Sequence, residues 1–227
     1  MPSTVSRRIG AASGLAYVVL VFAGNAIATS GSTVDDSSSG REILADLRAH
    51  HGTAFGLGTA LELLGFAALL AFVAYLAGVL RRAEGEEGWL ATAALGAGLL
   101  TLAVKLSSAA PMLAAIWRID ELDPTTARTL VDMNGVAFLV SWATTGALVG
   151  FAGLSALSSG ALSRRLALAG VALGALTTAT TSLGQNGPGV LGFLLCAVWL
   201  AAVSVVLFRR AAVPAPATSR PLAARAA

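Results

Sequence analysis

Two ionisable residues stand inside long apolar stretches of this 227-residue chain, Glu62 and Lys105. At the centre of a membrane helix each costs about 2.5–3.5 kcal/mol on insertion scales, so a charge kept there requires a physical reason. At 1.5 Å per helical residue, Glu62 lies about 13 Å and Lys105 about 15 Å from the same edge of the apolar layer. On adjacent antiparallel helices the two could therefore meet. They could form a bridge that locks the helices together, or serve a ligand, ion or proton. The third alternative is that they never touch.

Other polar residues share this half. On one helical face His51, Phe55, Gly58, Glu62 and Gly65 recur at the 3.6 period, and on another Gly98, Thr101, Lys105 and Ser108 do. Asn25 ends the first apolar stretch, Ser107 and Ser108 follow Lys105, and Asp132 and Asn134 open the fourth stretch. Thr177, Thr178, Thr180, Thr181 and Ser182 close the fifth, with Gln185 and Asn186 in the next turn. The opposite half holds almost nothing comparable. This asymmetry predicts a polar pocket near the outer surface, with Glu62, Lys105, Asn25, His51, Ser108, Asp132 and Asn134 as its ligand-binding residues. Pro111 lacks an N–H and is expected to free backbone carbonyls nearby. Hydroxyls in membrane helices commonly bond their own backbone, so the threonines alone carry little.

Other chemistries find no support. Asp46 and His50 are spaced i,i+4, but two ligands do not make a zinc site. There is no HExxH, no phosphate loop and no catalytic Ser-His-Asp order. Gly56-Leu57-Gly58 opens a membrane segment, the wrong context for a nucleotide fingerprint. Cys196 is alone, so no disulfide or CxxC centre is available. No metal and no cofactor is expected.

The elements that must position these residues follow from composition. Hydrophobic residues make up 56% and charged residues 12% of the chain, against about 25% charged in an average soluble domain. Six apolar segments, roughly 9–29, 53–80, 89–116, 130–158, 165–184 and 189–208, are each long enough to cross a hydrocarbon core of about 30 Å. Lipid offers the backbone no hydrogen-bond partner, so each must be helical. Barrel strands would be about ten residues of alternating polarity, unlike these segments. The fold class is thus all-α, a polytopic bundle of six spans in the lipid bilayer of a bacterial-type plasma membrane.

Basic residues orient it. Arg7, Arg8, Arg81, Arg82, Arg164, Arg165, Arg209, Arg210, Arg220 and Arg225 share one side, and only Arg41, Arg48, Arg118 and Arg128 the other. The positive-inside rule places both termini in the cytoplasm. It also explains the basic pI without nucleic acid. Trp89 and Trp117 bracket the third segment as interfacial anchors. Ala26-Ile27-Ala28 after the first stretch has the form of a signal-peptidase site, but that stretch is long for a cleaved segment and is read as a retained helix.

The transmembrane domain covers 1–210. Ser39-Gly40-Arg41-Glu42 is a capping-box pattern, and Ile43, Leu44 and Leu47 then recur at helical spacing. This predicts a short amphipathic helix over about 40–50 on the outer surface. Asp123-Pro124 reads as an N-cap with Pro at the first helical position, so the fourth helix should start outside the membrane. Residues 211–227, rich in Ala and Pro, read as a disordered cytoplasmic tail. The GxxxG pairs Gly10/Gly14, Gly146/Gly150 and Gly170/Gly174 suit close helix packing within the bundle rather than dimerisation.

Arg8-Ile9-Gly10 followed by Gly14-Leu15-Ala16-Tyr17, with the turn Gly160-Ala161-Leu162-Ser163-Arg164, resembles a family of small six-helix bacterial membrane proteins known only as a domain of unknown function. The resemblance would span nearly the whole chain and implies the same six-helix architecture. This chain departs from it by extra residues between Arg8 and the Gly-Leu-x-Tyr element and by lacking aromatic and His positions in the fourth helix. No functional residues carry over.

Three functions remain. The first is a non-enzymatic protein binding a small molecule or lipid, transporter-like in form. The second is a structural or regulatory subunit holding a membrane-protein partner. The third is a membrane enzyme with Glu62 as general acid.

Overall fold

The computed structural model describes residues 3–35, 37–184 and 187–212. Its helices are α1 (Thr4–Ala28), α2 (Gly40–His50), α3 (Thr53–Glu84), α4 (Trp89–Trp117), α5 (Pro124–Ser159), α6 (Arg164–Thr180) and α7 (Pro188–Ala212), with one 3₁₀ turn at Thr181–Leu183. No strand occurs among the described residues. All but α2 are long and apolar enough to cross a membrane, α6 together with the 3₁₀ turn. The chain is a six-span all-α bundle. The expected start of a tail at 211 falls within α7, which runs to Ala212, and residues 213–227 lie outside the described residues.

The short elements form where local chemistry predicts. Ser39 accepts from Glu42 N–H while the Glu42 carboxylate accepts from Ser39 N–H, so the capping box of α2 is complete. Ile43 and Leu44 bury one face of α2 against Ile119 and Ala127. Arg48 donates to Ile119 O and Arg128 to Ser38 O, which fastens α2 to the start of α5. Replacing Ser39 by Ala is expected to cost about 1 kcal/mol and to raise amide exchange in α2 first, measurable by hydrogen exchange. Asp123 caps α5 as expected. Hydrogen bonds from the Thr126 hydroxyl and N–H, and from Thr125 N–H, hold its exposed carboxyl below the ordinary carboxylate range. A lowered folded pKa contributes stability above the unfolded value of about 3.9 and loses it as pH falls through the folded one. Acid therefore frays the start of α5.

Packing divides the bundle in two along its length. Phe72, Leu69, Leu76 and Leu80 of α3, Val149 and Ala152 of α5, and Val203 and Leu207 of α7 fill the half nearer the paired arginines. There Ser155 donates to Glu84. The half carrying α2 has only the smaller cluster of Ile43, Leu44, Ile119 and Ala127. α1 packs along α3 and α4 along α5, while α3 and α4 share less of their length.

Glycines let backbones meet. A Cβ on Gly58 would sit 2.5 Å from Ala28 N and Gly24 O, so α1 and α3 touch there main chain to main chain. Each GxxxG pair is used inside the chain: Gly10 and Gly14 lie against Tyr75 and Phe72, Gly146 and Gly174 against each other, and Gly170 against Trp199. Trp89 and Trp117 stand exposed at the two ends of α4, as anchors would.

Candidate functional site

The half carrying α2 contains a cavity of about 510 Å³. Five of the six spans line it, α6 being the exception, and α2 lies at its end with Asp46, Leu47 and His50. Most of its wall is apolar, including Phe22, Phe55, Phe66, Met112 and Leu113.

Six of the seven expected residues reach it: Glu62, Lys105, Asn25, His51, Ser108 and Asn134. Asp132 does not. It lies two residues, about 200° round the helix, from Asn134, and its carboxylate accepts from Arg128 Nε at 2.9 Å on the surface. The crowd of threonines is not part of the site either. Thr177 meets Cys196 Sγ, Thr178 donates to Ala143 O, and Thr180 and Thr181 donate to carbonyls four residues back. Ser107 faces outward, and Gln185 and Asn186 lie outside the described residues.

Glu62 and Lys105 face the same cavity and are close enough to interact electrostatically. They do not form an ion pair: the described pairs are His50–Asp46, Arg118–Glu121 and Arg128–Asp132. Glu62 is half-buried, faced by the Asn25 side chain, and placed by the Gly24–Gly58 contact one turn away.

Lys105 is 1% exposed, and its Nζ has no hydrogen-bond partner in the protein. The ammonium rests instead on two aromatic faces, 4.8 Å from the Phe138 ring and 5.1 Å from the Phe193 ring. Such cation–π contacts contribute about 0.5–2 kcal/mol. Phe193 stacks on Trp142 at 5.4 Å, and Phe138 meets both edge-on, so the platform is a rigid aromatic triad.

The remaining polar groups near Lys105 are already engaged. Ser108 Oγ donates to Lys105 O at 2.8 Å, and Asn134 Nδ2 donates to Ser108 O at 2.7 Å. The latter contact ties α5 to α4 just before Pro111. At the mouth, His50 Nδ1 lies 3.1 Å from Asp46 Oδ1, which also holds the loop through Thr33 N–H, while Ser32 donates to the other Asp46 oxygen.

Sequence reasoning missed the aromatic platform. Phe138 carried a signal, since it lies one turn beyond Asn134 on the same face of α5. Phe193 carried none, because only folding brings α7 to Lys105.

The fold and cavity define a class: a multi-pass α-helical membrane protein with a carboxyl and an amine side chain that face one mostly apolar chamber without forming an ion pair. No protein-family model, curated protein or solved structure matches the chain.

Proposed function

We propose that this protein binds a small molecule or lipid in the α2-end cavity, and that the cavity opens on the outer side of the plasma membrane. One observation carries the reading: a lysine 1% exposed, turned to a cavity, with no protein acceptor for its three N–H groups. A buried charge of this kind is costly unless something completes it. Ligand chambers are commonly about 300–1,000 Å³, mostly apolar, with a few placed polar groups, and this one fits. The arginine asymmetry supports the orientation. The small-residue faces that a docking subunit would offer to a partner are occupied within the chain itself.

Native mass spectrometry of the protein released from detergent is expected to show a bound small molecule or lipid, lost when Ala109→Trp fills the chamber. Bare protein in both cases would end the reading. Orientation is tested separately in a Cys196→Ala background. A cysteine at Ser37 should react with an impermeant maleimide on intact cells, and one at Glu86 should not; the reverse pattern would invert the topology.

A further inference from the structure

We infer that the ligand is a zwitterion with an apolar body, its anionic group held by Lys105 and its ammonium by Glu62. The inference deepens the binding reading above and rests on it.

Charge accounting leads there. Lys105 and Glu62 face one chamber without forming an ion pair; Lys105 Nζ has no hydrogen-bond partner there, and Glu62 is met by the Asn25 side chain. At the lysine end of the chamber Lys105 and Glu62 balance each other, while Asp46 at the far end is held by His50, Ser32 and Thr33. Adding a simple anion would satisfy Lys105 and leave an uncompensated negative charge in an apolar site. Adding a simple cation would do the reverse at Glu62. Stranding a buried charge costs about 3–5 kcal/mol. A neutral apolar molecule would leave both side chains uncompleted. Only a ligand carrying both charges a short distance apart completes both and keeps the balance between them.

The surroundings agree with this polarity. The Asn25 side chain faces Glu62 and can share an ammonium as an acceptor. Phe138 and Phe193 hold the Lys105 ammonium from beneath, leaving the opposite side for an anion. Phe22, Phe55, Met112 and Leu113 supply the apolar wall for the rest of the molecule. An apolar amino acid and the headgroup of an ethanolamine phospholipid share this chemistry, an anion and a primary ammonium joined to a hydrocarbon.

The test uses the full chain in nanodiscs of phosphatidylglycerol. The probes are 2-aminodecanoic acid, its methyl ester as the cation and its N-acetyl derivative as the anion, with phosphatidylethanolamine added to the bilayer as the lipid arm. Wild type is expected to bind a zwitterion, the amino acid or the ethanolamine lipid, about a hundredfold more tightly than the ester or the N-acetyl acid. Binding of the amino acid with no response to the lipid assigns a free solute, and the converse assigns a headgroup. Lys105→Met should prefer the ester and Glu62→Gln the N-acetyl acid, an inversion that a merely structural role would not produce. The inference fails if singly charged probes bind wild type as well as the zwitterions, if both variants keep the wild-type order, or if no probe binds. In each of those cases a bound molecule lost in Ala109→Trp would leave the binding reading standing, and bare protein would remove both.

Discussion

Replacing Lys105 by Met is expected to stabilise the protein. No protein acceptor bonds this ammonium: Glu62 makes no ion pair with it, and its close support is two phenyl faces. Removing the charge recovers about 2.5–3.5 kcal/mol of insertion cost and forfeits about 0.5–2 kcal/mol of cation–π attraction. The net gain is about 0.5–3 kcal/mol, and the thioether chain still fills the space. Glu62→Gln, half-buried beside Asn25, should change stability by less than about 0.5 kcal/mol. In a double-mutant cycle the two should couple by well under the about 3–5 kcal/mol of a buried pair, because no ion pair joins them. Reversible unfolding in mixed micelles reads all four proteins. If instead Lys105→Met loses about 3–5 kcal/mol and the double variant recovers it, the residues form a buried bridge in the membrane, and the chamber loses its reason to bind.

Gly58→Ala is expected to give the opposite result, a loss of about 3 kcal/mol, at the upper end of overpacking costs. The added methyl would lie 2.5 Å from Ala28 N and Gly24 O, main-chain atoms that no rotamer change can move. α1 must shift away from α3, and Glu62, one turn along, shifts with the contact. The chamber should therefore lose its ligand as well as its stability. Gly96→Ala and Gly135→Ala are the controls, since a Cβ at either meets nothing within 4 Å. Each should be neutral or stabilise by up to about 1 kcal/mol, the helix-propensity difference between Gly and Ala. Thermal melts of the three variants decide it. A Gly58→Ala protein as stable as the controls would mean that α1 and α3 are not in main-chain contact.

Much of this architecture was legible in the residues alone. The spans could be read because a bilayer demands uninterrupted apolar helices of fixed minimum length, and a one-dimensional requirement leaves a one-dimensional trace. Local caps were equally readable. Ser39 with Glu42, and Asp123 with Pro124, act within three residues, so their geometry is written in spacing.

The chain also determined by itself which half would be polar and that Glu62 and Lys105 would lie at similar depth. Depth follows from rise per residue, which every helix shares. Only the tertiary structure decided what those residues meet. Whether two helices at equal depth press together or stand apart depends on the other helices wedged around them. Here the Gly24–Gly58 contact draws α3 towards α1, while α4 lies along α5. Glu62 and Lys105 thereby face one chamber without forming an ion pair. The same assembly brings Phe193 from α7 under an ammonium 88 positions earlier in the chain, and turns Asp132 out to Arg128 while Asn134 turns in. These outcomes depend on the rotation and spacing of several helices at once, and no periodicity along one of them records that.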